Sequence, residues 1–250
     1  MGSVEAFPRK PGVSTIADVW RVAPSLASEE ALRVRPLRLE DCAAIRALQR
    51  DANPGMPPWS VQQLESQHHA FPQGQLVAEY GGVLVGALST LIVQWDDYAV
   101  EHRWRSITGG GTFSTHDPQG RTLYTTEVVV DLSRRGYGVA RALYLAQKRL
   151  CRRLNLRRVI GAARLPGYSE VNQRMSPELY AMKVIWGDLA DPVLRFAMTQ
   201  GFQYCGIIHD YRPEDVESAG HAALIVWLNP LYSPPRPPAS IERERQRRCA

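Results

Sequence analysis

The sequence predicts an α/β protein with a mixed central sheet flanked by helices. Residues 123–153 read as a buried strand, an Arg/Gly turn and an amphipathic helix, and residues 159–163 follow as a second buried run. Strand, helix and strand in that order make a parallel pair. Residues 75–80 and 83–93 are apolar runs joined by Gly81-Gly82, an antiparallel hairpin. One sheet holding both arrangements is mixed.

Taken in order, residues 1–30 mix Pro, Gly, Ser and charges and read as a lead-in with one short helix near 16–22. Residues 32–37 alternate apolar and basic side chains as a half-buried strand does, with Pro36 putting part of it at an edge. Glu40 and Asp41 open a helix that turns Cys42, Ile45 and Leu48 inward. Asn53 to Pro58 form a loop, and Ser60 caps a helix to about His69. His68 and His69 are adjacent and point to different sides, which argues against a metal pair. Gly86 marks a bulge or a close backbone approach. Residues 94–117 are read as too polar and Gly-rich for core. They are assigned to the wall of an acceptor pocket, with a plain surface excursion as the alternative.

The three consecutive Val at 128–130 suit a strand covered on both faces. Ser133 to Gly138 then ends the strand, and Val139, Ala142, Leu143, Ala146 and Leu150 recur at helical spacing. A helix start leaves amide N–H groups unpaired at the positive end of the macrodipole, and glycines let an anion approach closely. Arg134 and Arg135 add charge at the rim. The Gly-Lys-Ser/Thr of a nucleotide phosphate loop is missing, and Arg141 stands where a dinucleotide fingerprint needs its third Gly. A ligand-free turn remains an alternative on turn chemistry alone.

Downstream, Ser176 and Pro177 start one helix and Asp191-Pro192 another, which Gly201 ends. Residues 202–209 and 222–228 close the sheet as a strand pair, and residues 229–238 read as an extended Pro-rich linker. The organisation expected is therefore a lead-in at 1–30, a domain at 31–229 and a Pro-rich basic tail or linker at 230–250.

Arg135-Gly136-Tyr137-Gly138-Val139-Ala140, after a strand ending Val128-Val129-Val130-Asp131, resembles the Arg/Gln-x-x-Gly-x-Gly/Ala turn of the GNAT N-acetyltransferases. The resemblance covers about residues 31–228. It implies the GNAT acyl-CoA N-acyltransferase fold, with two parallel strands splayed apart around the thioester arm. It also implies acetyl-CoA as co-substrate. The pyrophosphate would rest on Arg135, Gly136, Tyr137, Gly138, Val139, Ala140 and Arg141, and the backbone at Val128 and Val130 would pair with the pantetheine arm.

Many members of that family carry a Tyr four residues before the Gly of the later helix, as the acid that reprotonates the leaving thiolate. Here that position is Ala197, beside Phe196, and the Asn that often opens the motif falls at Ala190. Tyr168 is a candidate substitute; unaided departure, departure via water, or an impaired copy are the alternatives. A narrower resemblance links the region after the central helix (RLPGYSE, DPVLRFAMTQGF, IVWLNP) to the acetyltransferase-type module ahead of carbon–nitrogen hydrolase domains. A carbon–nitrogen hydrolase and a second copy of the chain thus stand as candidate partners.

The 250 residues, 44% hydrophobic and 22% charged, describe an ordinary globular protein. No apolar run approaches the ~20 residues of a membrane span, and the start lacks a secretory apolar segment. Cys42, Cys151, Cys205 and Cys249 lack CxxC spacing, so reduced thiols in a cytoplasmic setting are expected, with no metal. Five Arg against two Glu in the last twenty residues supply three of the net +5, which argues against a nucleic-acid face.

Acyl transfer from a thioester needs positioning, a sink for the amine proton and carbonyl polarisation. Glu127 is the best-placed carboxylate to act as base, against simple pairing with an Arg. Backbone N–H groups around Val128 to Val130 would polarise the carbonyl. Asp96, Asp97 and Glu101 would favour a cationic, polyamine-like or lysine-like acceptor over a neutral one. The expected activity is transfer of an acetyl group to a primary amine on a small molecule or lysine; the alternative is a non-catalytic acyl-CoA-binding or regulatory module.

Overall fold

The strand β4 (Thr122–Val130) lies at the middle of a seven-stranded sheet of order β1-β2-β3-β4-β5-β7-β6 in the computed structural model, which describes residues 32–98 and 102–235. β1 (Arg33–Pro36) is an edge strand, which accommodates the missing N–H of Pro36. β2 (Gln75–Tyr80) and β3 (Val83–Val93) form the hairpin, with φ of 57° at Gly81 and 76° at Gly82. β5 (Arg158–Arg164) runs parallel to β4, and every other neighbouring pair is antiparallel. The last strand among the described residues, β7 (Ala222–Leu228), inserts between β5 and the older β6 (Gln203–Ile208).

Helices cover both faces. On one, α1 (Cys42–Ala52), α2 (Val61–Ala70) and the short α3 (Trp104–Thr108) bury Cys42, Ile45, Leu48, Leu64 and Ile107 against Tyr124, Val129 and Leu91. Ser60 caps α2 by accepting from the Gln63 N–H, while the Gln63 side chain accepts from the Ser60 N–H. On the other, α4 (Val139–Arg153), α5 (Pro177–Trp186) and α6 (Pro192–Thr199) bury Leu143, Leu150, Val184 and Leu194. Each such aliphatic side chain stabilises the fold by roughly 1.5–3 kcal/mol. Asp191 caps α6, accepting from the N–H groups of Val193 at 2.9 Å and Leu194 at 2.8 Å. Gly86 serves close approach: a Cβ there would lie 2.7 Å from Val139 Cγ1, so α4 packs directly on β3.

Two expectations change. Residues 94–117 include core: Trp104, Ile107 and Phe113 are buried beside Trp59, so the polar and glycine residues among them do not keep the segment outside. The stretch after β7 is tied down as far as Ser233, whose carbonyl accepts from Asn155 Nδ2 at 2.7 Å and whose N–H donates back to Asn155 Oδ1 at 2.9 Å. The helix expected near 16–22, Glu101, Cys249 and residues 236–250 lie outside the described residues. Among the described residues no helix is long and apolar enough to cross a membrane, and no cluster of three or more His, Cys, Asp or Glu could hold a metal.

Candidate active site

The turn between β4 and α4 is a backbone cradle. Gly136 and Gly138 have φ of 87° and 80°, a left-handed geometry that glycine adopts without strain. A Cβ at either would meet nothing within 4 Å, so the space above both is open. Gly138 is the N-cap of α4 and offers no side-chain cap, which leaves the amides of Val139, Ala140 and Arg141 without intrahelical partners. No acidic residue stands in that first turn to occupy the positive end. Arg135 and Arg141 are exposed beside it, and Arg134 lies over the rings of Tyr80 and Tyr137 at 5.0 and 5.4 Å. Such a turn can hold a phosphate or pyrophosphate.

The same strand opens a gap. β4 pairs with β5 only from Thr122–Arg158 to Thr125–Gly161. Past that point β4 continues against β3 alone, while Ala162 to Arg164 continue against β7 alone. The facing edges from Thr126 to Val130 and from Ala162 to Arg164 therefore share no ladder, and the parting leads toward the cradle. At the last paired position, Gln147 of α4 donates to Thr125 Oγ1 at 2.5 Å.

A bulge decides which side Glu127 faces. Ser89 pairs with Glu127 and Thr90 with Thr125, so Thr126 is the extra residue on β4. The extra residue puts Tyr124 and Glu127 on one face although their numbers differ by an odd step, the face covered by α1. There Gln49 Nε2 donates to Glu127 Oε2 at 2.5 Å, and Gln49 Oε1 accepts the Trp59 N–H at 3.1 Å. Burial pushes the Glu127 carboxyl up; the charge of Arg212, the Gln49 bond and the charge of Arg164 pull it part of the way back. A carboxylate with an elevated pKa is suited to taking a proton near neutral pH.

Arg164 does not pair with Glu127. Its guanidinium grips Asp215 through two 2.6 Å bonds, with Asn53 Oδ1 at 2.6 Å and Glu217 at 2.8 Å. Behind Glu127 sits a buried hydroxyl chain: His102 Nε2 is 2.7 Å from Tyr124 Oη, which donates to Tyr211 Oη at 3.0 Å. Burial pushes Tyr211 up to about 12, against the Tyr124 bond and the charge of Arg212. His102, Tyr124 and Tyr211 carried no signal in the sequence beyond their residue types.

A surface depression of about 480 Å³, whose lining includes Trp59, Trp104, Arg105, Gly110 and Arg212, is linked to Glu127 through Gln49, which also accepts the Trp59 N–H. Three residues of the segment 94–117, Trp104, Arg105 and Gly110, lie on this lining. Asp96 and Asp97 do not line it and are exposed elsewhere. The Arg212 guanidinium lies over the Trp104 ring at 4.5 Å.

Tyr168 opens a short helical turn (Tyr168–Glu170) that follows β5, and is buried against Tyr180 and His221, with its hydroxyl donating to the Met175 carbonyl at 3.1 Å. Ala197 is fully buried. The ring next to it, Phe196, meets Tyr144 of α4 edge-on at 5.5 Å, and burial pushes the Tyr144 hydroxyl up to about 12. That hydroxyl makes no hydrogen bond among the described residues. Helical spacing could have put Tyr144 on the buried face of α4, one residue past Leu143, but not beside Phe196.

The acetyltransferase (GNAT) family profile matches residues 42–169. Over 206 residues the chain is 36% identical to "Probable hydrolase YhcX" of Bacillus subtilis (strain 168), covering 82% of this chain and 40% of that protein. It is 31% identical over 207 residues to "Uncharacterized N-acetyltransferase YkwB" of the same organism, covering 81% of this chain and 91% of that one. The chain thus spans less than half of one curated relative and nearly all of the other. Among solved structures, the "GphF GNAT-like decarboxylase in complex with isobutyryl-CoA" superposes with a TM-score of 0.67 at 24% identity, over 79% of this chain and 99% of that one. The chain belongs to the GNAT acetyltransferase family.

Proposed function

We propose that this GNAT-family enzyme moves an acetyl group from acetyl-CoA to a primary amine by direct attack on the thioester. The observation that carries the reading is the parting of β4 and β5 after Thr125, leading to the Gly136/Gly138 cradle with Glu127 on the α1 side. A solved structure of the same fold is in complex with isobutyryl-CoA, which supports an acyl-CoA co-substrate.

In this reading the amides of Gly136 to Arg141 and the Arg135 guanidinium hold the pyrophosphate, and the free edge of β4 at Val128 and Val130 pairs with the pantetheine arm. Glu127 takes the proton of the ammonium, so the neutral amine attacks the carbonyl carbon and a C–N bond forms. Backbone N–H groups of β4 steady the oxyanion. As the C–S bond breaks, the thiolate takes a proton from a tyrosine, and the attacking nitrogen gives up its second proton, which restores that tyrosine by way of solvent. Tyr168 and Tyr144 compete for that role, and Tyr144 has the hydroxyl without a partner among the described residues.

Calorimetric titration of acetyl-CoA into the wild type and into the double variant Arg135→Ala/Gly138→Glu tests the cradle. Binding by the wild type alone is expected. Thiol release over a panel of amines then tests transfer, and Glu127→Gln should lower turnover by about 10²–10⁴-fold with acetyl-CoA still bound. Cofactor binding with no thiol release from any amine would favour the second reading, a non-catalytic acyl-CoA-binding module, whose support is Ala197 in place of the usual tyrosine. The likeness to YhcX supports, as context, a carbon–nitrogen hydrolase partner.

A further inference from the structure

The depression linked to Glu127 through Gln49 carries two guanidinium groups on its lining, those of Arg105 and Arg212. Arg212 is partly buried and has no carboxylate partner among the described residues, whereas the nearby Arg164 is bound by Asp215, Glu217 and Asn53. Arg105 is exposed and likewise without an acidic partner among those residues. The indole N–H groups of Trp59 and Trp104 are buried and have no hydrogen-bond partner among the described residues. Three backbone carbonyls of the wall are taken: that of Trp59 accepts from Arg46 at 2.9 Å, that of Gly110 from Gln63 at 2.8 Å, and that of Trp104 from Thr108 at 2.7 Å. Glu214, the one acid on the lining, is exposed.

The Arg212 guanidinium, 4.5 Å from the Trp104 ring centroid, has a planar set of N–H donors that can act as a fork. A planar anion with two oxygens is the partner that fork fits best. The charge of Arg212 also acts on Glu127, and Gln49 joins Glu127 directly to Trp59, so the donors and the proposed base belong to one site.

We infer that this depression binds a carboxylate on the acceptor, so that the amine substrate is of the amino-acid class rather than a polyamine or a lysine on a protein surface. The inference rests on the acetyl-transfer reading and reverses the charge expected from Asp96, Asp97 and Glu101. The ammonium of such a substrate would face Glu127 while its carboxylate meets Arg212; a polyamine would instead set a second cation against two guanidinium groups.

The test follows the indole N–H resonances of the full chain, ¹⁵N-labelled at tryptophan, during titration with 4-aminobutanoate and separately with butylamine. The Trp59 and Trp104 signals should move with the amino acid and not with the plain amine, and Arg212→Gln should weaken the response at least tenfold while acetyl-CoA still binds in calorimetry. Trp104→Phe should remove one signal and leave that of Trp59 responsive, a check independent of any harm to folding by the arginine change. No movement with 4-aminobutanoate, or equal movement with butylamine, would overturn the carboxylate acceptor site. An intact indole response in a protein that fails to bind acetyl-CoA would overturn the transfer reading and leave the carboxylate site standing.

Discussion

Gln49 holds Glu127 with its amide nitrogen and the Trp59 backbone with its amide oxygen, so one side chain from α1 joins the carboxylate of the central strand to the wall of the depression. Its bond lowers the Glu127 pKa against the upward push of burial. Gln49→Ala therefore raises that pKa further. Because the base acts as the carboxylate, the acid limb of the pH–rate profile should move to higher pH, with activity lost sooner on acidification. The freed Trp59 N–H should cost a further ~1–3 kcal/mol in stability, read by denaturant titration.

Arg164 and Asp215 make a second, separable prediction. Burial raises the Asp215 pKa, but the Arg164 bonds and charge more than offset it, and the net shift is downward from 3.8. A depressed carboxyl contributes stability that is present above its unfolded pKa and lost as pH falls through the folded one. Arg164→Met leaves Asp215 buried without its cation and should destabilise the protein by ~3–5 kcal/mol at neutral pH. The deficit should shrink toward acid pH as Asp215 protonates, which melting curves between neutrality and about pH 4 would reveal.

Gly86 tests how the cradle is supported. Alanine there puts a methyl 2.7 Å from Val139 Cγ1, at the first residue of α4. Overpacking should cost ~1–3 kcal/mol, and the displaced helix start should weaken acetyl-CoA binding as well. A stability loss with unchanged affinity would separate the packing from the turn.

The two tyrosines are distinguished by their bonds. Tyr144→Phe removes a hydroxyl without a partner and should leave the melting temperature nearly unchanged while lowering thiol release. Tyr168→Phe breaks the bond to the Met175 carbonyl and should cost ~1 kcal/mol of stability. Whichever variant loses turnover without losing cofactor affinity identifies the acid.

Periodicity, turn residues and caps are local signals, and they placed the hairpin, the Ser60 and Asp191 caps, the β4–turn–α4 unit and the edge position of Pro36. Residues 94–117 misled because a Gly-rich composition does not exclude Trp104 and Phe113 from a core built with Trp59. The side on which Glu127 lies was invisible, since it depends on one extra residue, Thr126, in the pairing with β3. Its partner Gln49 is 78 residues away in sequence. The donors of the depression come from three separate segments, so no spacing along the chain could assemble Trp59, Trp104 and Arg212.

The place of β7 has a consequence for how the molecule comes into being. β5 and β6 are both made before the strand that separates them, so until residues 222–228 leave the ribosome each presents a bare, hydrogen-bonding flank. The two strands cannot simply zip together first, because β7 must claim both. The edge of β5 opposite its parting from β4 is thus covered by the last strand of the described sheet to be synthesised, and a nascent chain halted before Ala222 would keep that edge adhesive.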